Sequence, residues 1–363
     1  NFKYSKLDFF LLLIVAFFSY YIFKVYNPFL GSIFTEGDVL LSWNEWSYNL
    51  IGSTYYPGDI KTNSFDSMFY ENQSRSYYSQ LIPALWSVFY LLGNNSDLMI
   101  FPKILSFLLS LSIFIFLIGS YLKTKNLLYI LIFLSIFYLY FKEHAHFIYS
   151  GLVDSPVAIL VFISFLFIFK KPEKVQIKDI ILSILFASTA CNIKINAFYY
   201  SIFFLNTFIY INFREKFKKN VIYFIILNFI LSSFWITYQF LFNEINILTN
   251  NNINYLNSLS VKSIPEGFTR FSNLFSSNFV FSLILLSFIF SFFLNKIWII
   301  SLFIITPYTI IWYFYSSYDT RNLFIIIPFF CYVLSYQVNY ILDKFHHINK
   351  KNFINKTFEI QNK

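Results

Sequence analysis

The 363-residue chain has little charge, cysteine or glycine. Only 12% of its residues are charged and 57% are hydrophobic, whereas a soluble protein carries about 25% charged and 45–50% apolar residues. These values exclude a soluble globular enzyme and a disordered chain. The two cysteines, Cys191 and Cys331, both fall in apolar segments, which argues against a secreted disulfide framework and against a zinc site.

The chain is instead built from apolar blocks separated by short polar or basic stretches. Blocks of about 16–24 residues are long enough to cross a bilayer. The sequence therefore predicts an all-α polytopic membrane protein of about ten transmembrane helices. The blocks lie near 7–26, 98–121, 127–148, 155–169, 177–193, 196–211, 221–242, 277–294, 297–315 and 322–342.

A further apolar stretch over 80–92 contains Pro83 and Trp86, and it is too short to span comfortably. It predicts an interfacial helix inside a long first external loop, residues 27–97. Residues 243–276 form the second long external loop. We expect residues 1–343 to form the membrane module and residues 344–363 to form a basic cytoplasmic tail.

Lysine and arginine predict the orientation of the chain. With both termini cytoplasmic, 18 of the 27 basic residues and six of the 18 acidic residues lie inside, so the net charge is +12 inside and −3 outside, adding to the overall +9. This bias follows the positive-inside rule. The basic excess therefore concerns orientation and contacts with anionic lipids, and no nucleic-acid partner is expected. The predicted location is a bacterial inner or plasma membrane, crossed many times.

The first polar segment that could carry chemistry runs from Glu36 to Trp46, just after the first predicted span. Trp43 and Trp46 share one helical face and are suited to the membrane interface. Asp38 in this segment is a candidate general base that activates a hydroxyl acceptor. The alternative is a solvated acidic loop anchored by aromatic residues.

Three more polar segments interrupt apolar blocks on the predicted outer side. Asp154 precedes a helix, where it either caps that helix or orients an acceptor or a cation. Lys194 is an ionisable residue beside apolar spans, where it either contacts a phosphate or snorkels to water. Arg321 either clamps a phosphate or pairs with Asp319 at the surface.

A His-rich segment at the end of the third span is a weaker candidate. Glu143, His144 and His146 give the spacing of a metal site, although such residues more often form a polar helix end. We assign no metal ligand and no certain cofactor, and a divalent cation is the one cofactor left open.

The chain resembles the GT-C membrane glycosyltransferases, in particular the branch that uses polyprenyl-phosphate sugars and includes protein mannosyltransferases and the aminoarabinose transferase of lipid A. Short motifs carry the resemblance in the family's order, and Glu45 stands where the family has arginine. The matching segments are Asp38–Trp46, Tyr78–Ser87, Gly151–Ala158, Lys194 and Tyr318–Leu323.

The resemblance implies a GT-C-like fold and an enzyme that moves a sugar from a polyprenyl phosphate to a hydroxyl acceptor on the external or periplasmic face, with inversion. Asp38 would be the general base, Lys194 and Arg321 would hold the leaving phosphate, and Asp154 would orient the acceptor or a metal. The acceptor, whether lipid, glycan or protein, stays open. The remaining positions implied to bind substrate are Trp43, Asn44, Glu71, Arg75, Tyr78 and Gln80.

Two other functions remain compatible with the sequence. A transporter or flippase for lipid-linked sugars would also bind polyprenyl phosphate, but it should carry polar residues along its midspans, which here are almost purely apolar in sequence. A polysaccharide polymerase or ligase of similar architecture would take an oligosaccharide donor in place of a single sugar.

Overall fold

A computed structural model of the chain describes most of the predicted membrane region. The described residues are 6–30, 47, 81–93, 100–142, 152–169, 172–234, 237, 269, 271–272, 278–294, 297–315 and 320–361. Within these ranges the fold is helical, and they contain no strand. The all-α prediction is confirmed for this part of the chain.

The described residues in the first half of the chain form six helices, whose bounds follow the apolar blocks closely. Helix α4 continues as a π-helical segment over Phe137–Lys142. The helices are α1 (Lys6–Leu30), α2 (Leu81–Gly93), α3 (Ile100–Thr124), α4 (Leu127–Ile136), α5 (Asp154–Ile168) and α6 (Ile177–Ile193).

The second half contains two π-helical segments that lead directly into α-helices. Tyr199–Leu205 precedes α7, and Ser301–Ile305, which follows the short turn Trp298–Ile300, precedes α10. A 3₁₀ segment over Thr320–Ile326 opens the last helix. The helices are α7 (Asn206–Phe217), α8 (Asn220–Ser232), α9 (Asn278–Ser291), α10 (Thr306–Tyr315) and α11 (Ile327–Gln361).

Helix α5 lies at the centre of the bundle. Nearly all of its residues are buried, as expected for a helix that is hydrophobic on every face. It packs against α3, α6 and the 3₁₀ segment that precedes α11. A charged residue at either end of α5 is therefore held close to several other helices.

Contacts at the two ends of α1 and α3 fix their antiparallel packing. The Tyr26 hydroxyl donates to the Lys103 carbonyl at 2.7 Å, which joins the end of α1 to the start of α3. Lys125 and Asp8 form an ion pair at 2.5 Å, which joins the turn after α3 to the start of α1. The two helices thus form one antiparallel pair.

In the part of the chain that the structure describes, three helical segments are long and apolar enough to cross a membrane by length and composition: Asp8–Asn27, Lys103–Thr124 and Asn322–Lys344. Shorter apolar helices of 10–17 residues lie at 127–139, 154–168, 220–232, 279–291 and 298–313. Many large apolar side chains of α1, among them Phe9, Phe17 and Phe23, are exposed, as a surface in contact with lipid requires.

Two further predicted segments are helical in the structure. The short apolar stretch over 80–92 forms helix α2, which buries Ile82, Trp86 and Tyr90 along one face while Leu91 stays exposed, and its position at the membrane interface stays a prediction. The predicted cytoplasmic tail is a continuation of α11, which runs helically to Gln361.

The helix interiors are less purely apolar than the sequence suggested. Asn228 of α8 is fully buried, and its amide donates to the Ser201 carbonyl and to Asn206 Oδ1, both at 2.8 Å. Its Oδ1 accepts from the hydroxyls of Ser201 and Ser232 at 3.0 and 3.2 Å. We call Asn228, Ser201, Ser232 and Asn206 the interior network; its groups are uncharged and bonded to one another.

Candidate functional site

The candidate site begins with two helix ends that meet. Asp154 is the first residue of α5, and Lys194 follows the last residue of α6. The α6 helix stops there because Lys194 has an extended backbone, and a 3₁₀ turn over Ile195–Ala197 follows. Because α5 and α6 are packed neighbours, these ends bring the two charges together.

Asp154 and Lys194 form a partly buried ion pair. Lys194 Nζ donates to Asp154 Oδ1 at 2.5 Å. The Lys194 side chain is 17% exposed, and the Asp154 side chain is 7% exposed. The N-cap position of α5 is held by Val153, and Asp154 is the first helical residue. Asp154 is therefore not the N-cap residue that the sequence allowed, and Lys194 donates to Asp154, which a lysine that only reaches for water would not do.

A third segment reaches the ion pair from the start of the last helix. Asn322 Oδ1 accepts from Lys194 Nζ at 3.2 Å and from Asn196 Nδ2 at 3.0 Å. Three segments far apart in the sequence thus meet in one polar cluster. We call Asp154, Lys194, Asn196 and Asn322 the polar cluster.

The orientation of both amides in the cluster follows from the lysine. An ammonium group only donates hydrogen bonds, so the Asn322 atom that faces Lys194 must be the carbonyl oxygen. The same oxygen accepts from Asn196, which must present its Nδ2. Asn322 Nδ2 and Asn196 Oδ1 are then left without a partner among the described residues.

A cavity of about 190 Å³ adjoins the polar cluster. Asn196 and Asn322 form its polar wall, and isoleucines at 195 and 311 also contribute. Its aromatic walls are Tyr199, Tyr308 and Trp312.

The phenol groups of the cavity wall are bonded to backbone groups. Tyr308 donates to the Asn196 carbonyl at 2.9 Å and accepts from the Tyr200 amide at 3.3 Å. Tyr199 donates to the Phe303 carbonyl at 3.0 Å. The phenols therefore fix the shape of the cavity, while the two amides keep open hydrogen-bonding groups.

Of the residues proposed from the sequence, the structure brings Asp154 and Lys194 into contact. Arg321 lies in the 3₁₀ segment beside Asn322, and its side chain is outside the described residues. The remaining proposed positions lie outside the described residues: Asp38, Trp43, Asn44, Glu71, Arg75, Tyr78 and Gln80.

The sequence did not single out Asn196, Asn322, Tyr199, Tyr308 or Trp312. Asn196 and Asn322 stand inside polar segments that it did recognise, but asparagine is too common in this chain to mark a site. The three aromatic residues carry no local signal in a chain with 24% aromatic residues.

Metal binding finds no support in the described part of the chain, where no three His, Cys, Asp or Glu side chains are grouped to hold an ion. Glu143, His144 and His146 lie outside it, so the divalent cation stays a prediction.

Compared with known proteins, the chain matches no family model. It also matches no curated protein and no solved structure at a significant level.

Proposed function

We propose that this protein is a multi-pass membrane glycosyltransferase that moves a sugar from a polyprenyl phosphate to a hydroxyl acceptor outside the cell membrane. One observation carries the proposal. Three segments whose sequences suggest sugar-phosphate chemistry meet in the polar cluster, beside a cavity lined by amides and aromatic rings.

The proposed reaction is an inverting displacement. The acceptor oxygen attacks the anomeric carbon, and the bond from that carbon to the phosphate oxygen breaks. The phosphate leaves with the electron pair, and Asp38 takes the proton of the attacking hydroxyl. Negative charge grows on the leaving phosphate, so cations beside it stabilise the transition state more than the ground state.

Lys194 and Arg321 are the cations proposed for the phosphate. Lys194 is already bonded to Asp154 and Asn322, which holds its ammonium group in place before any donor arrives. A preorganised charge of this kind needs little rearrangement during the reaction. In this scheme Asp154 positions Lys194. The contact with Lys194 accounts for the presence of Asp154 without any contact between Asp154 and the acceptor.

A deletion strain tests the function whatever the acceptor is. Mass spectrometry of its lipids should show a polyprenyl-phosphate monosaccharide that accumulates and disappears when the wild-type gene is restored. Asp38→Asn should fail to clear this lipid, and Asp66→Asn, in the same external loop, should clear it as wild type does. If the Asp38→Asn variant cleared the accumulated lipid, Asp38 would not be the general base.

The sidedness and mass of the accumulated lipid separate the other functions. A lipid protected from a membrane-impermeant oxidant such as periodate would indicate a missing flippase. A lipid that carries an oligosaccharide would indicate a missing polymerase or ligase. Only an outward-facing monosaccharide lipid agrees with the glycosyltransferase.

A further inference from the structure

The cavity beside the polar cluster has open groups of both kinds. Asn322 Nδ2 is a free donor and Asn196 Oδ1 is a free acceptor among the described residues. No described residue that lines the cavity carries a charge, and the described charges that adjoin it, Asp154 and Lys194, are paired with each other.

We propose that this cavity binds one neutral sugar ring and rejects sugars that carry a carboxylate or an ammonium group. The proposal deepens the glycosyltransferase assignment and rests on it, since it names the class of sugar that the same site takes.

The pairing of one donor with one acceptor selects hydroxyl groups. A sugar hydroxyl both donates and accepts, so neighbouring hydroxyls satisfy Asn322 Nδ2 and Asn196 Oδ1 together. A carboxylate only accepts, so it can bond to Asn322 Nδ2 but offers no donor to Asn196 Oδ1, whereas an ammonium only donates, so it can bond to Asn196 Oδ1 but offers no acceptor to Asn322 Nδ2. In the proposed function Lys194 is already engaged by Asp154 and by the leaving phosphate, so a charged group on the sugar would lose water without gaining a counter-charge from it.

The aromatic walls fit the less polar face of a sugar ring. Tyr308 and Trp312 are 5% and 2% exposed, so packing holds them rigidly, and the less buried Tyr199 offers the larger aromatic surface to a ligand. The volume of about 190 Å³ is below the roughly 300–1,000 Å³ typical of larger ligand pockets. A single ring fits this space better than an oligosaccharide does.

The first experiment needs no variant. The full-length protein in lipid nanodiscs is titrated with farnesyl phosphate and with its glucose, glucuronic acid and glucosamine esters. Two added hydrogen bonds should make the glucose ester bind about tenfold tighter than farnesyl phosphate alone, and the two charged esters should gain little. An equal or larger gain for either charged ester would overturn the proposal.

An isosteric substitution tests the role of the amide itself. Asn322→Asp keeps the oxygen that accepts from Lys194 and Asn196, but it replaces the free donor by an acceptor. The preference for the glucose ester should fall and the glucosamine ester should gain about tenfold. The matched control is Asn212→Asp, an exposed asparagine on α7, which should keep the wild-type order.

Methyl glycosides separate the two proposals. If farnesyl phosphate and all of its esters fail to bind, the glycosyltransferase assignment fails. Methyl glucoside, methyl glucuronide and methyl glucosaminide then still test the cavity, because binding there should change tryptophan fluorescence and Trp312→Phe should abolish that change. A change in tryptophan fluorescence with methyl glucoside alone supports the cavity proposal. No fluorescence change with any of the three glycosides contradicts it.

Discussion

The polar cluster and the interior network use the same side-chain types in opposite ways. In the interior network, Asn228 uses both donor hydrogens and accepts two bonds, so nothing is left for a ligand. In the polar cluster, Asn196 and Asn322 each keep a group without a partner among the described residues, and both side chains line a cavity. Amides in this fold therefore hold helices together where they are fully buried and leave a binding surface where they are partly exposed.

Charge separates the two regions further. The interior network contains only amides and hydroxyls, which cost little inside a membrane when they are fully bonded. The polar cluster contains Asp154 and Lys194, whose burial is costly unless they stay paired. Retaining such a pair at the ends of two central helices is more informative about function than the interior network is.

The largest effect is expected when the ion pair is broken from one side. Lys194→Met leaves Asp154 buried without its partner, which should lower the free energy of unfolding by about 3–5 kcal/mol. Clearance of the donor lipid should fall by about 100-fold or more, because a preorganised charge at the leaving phosphate is lost. Unfolding in mixed detergent micelles and the lipid assay measure the two effects.

A double variant separates stability from function at this site. Asp154→Asn combined with Lys194→Met removes both charges and should recover most of the lost stability, while activity should stay low. Recovery of activity together with stability would show that Lys194 acts only as a structural partner of Asp154.

A smaller effect is expected in the interior network. Asn228→Leu removes the donor to the Ser201 carbonyl and to Asn206 Oδ1, and it removes one acceptor from the Ser201 and Ser232 hydroxyls, which keep their bond to each other at 2.7 Å. The loss should cost about 1–3 kcal/mol of unfolding free energy. Binding of farnesyl phosphate should match wild type. The control, Asn212→Leu at an exposed position, should change the free energy of unfolding by less than about 0.5 kcal/mol. If Asn228→Leu lost farnesyl phosphate binding, the interior network would contribute to ligand binding as well as to stability.

The smallest effect is expected at a buried serine between helices. The Ser164 hydroxyl bonds to Ser183 at 2.9 Å and to Tyr200 at 3.2 Å. Ser164→Ala should lower the unfolding free energy by about 0.6 kcal/mol, the average for such bonds in membrane proteins. The control is Thr189→Ala, which removes an exposed hydroxyl bonded within its own helix. It should leave the free energy of unfolding unchanged when unfolding is measured in the same mixed detergent micelles.

Helix positions were largely predictable because apolar blocks end where polar residues begin. The block over 177–193 coincides with α6, and the break at Lys194 is where that helix stops. The three segments long enough to span support a membrane protein, while the count of about ten spans and the orientation remain predictions.

The partners within the site were harder to predict. The sequence placed Asp154 and Lys194 on one side of the membrane, but only the packing of α5 on α6 shows that they pair with each other. Arg321 is recognisable from the sequence because a charge stands out in an apolar chain, whereas the amide of Asn322 does not. The π-helical segments had no signature either, since the surrounding residues are apolar on every face.

Two of those π-helical segments adjoin the cavity: Tyr199 begins one, and Ser301–Ile305 ends just before Tyr308 and Trp312. Ser301–Ile305 has α-helical residues on both sides, so it amounts to about one residue inserted into an α-helix, and one residue turns a helix by about 100°. A one-residue deletion within 301–305 would swing Tyr308 and Trp312 away from Asn196 without making the segment less apolar. The cavity therefore depends on the number of residues in this segment as much as on their composition, so the loss of a single codon there would remove it.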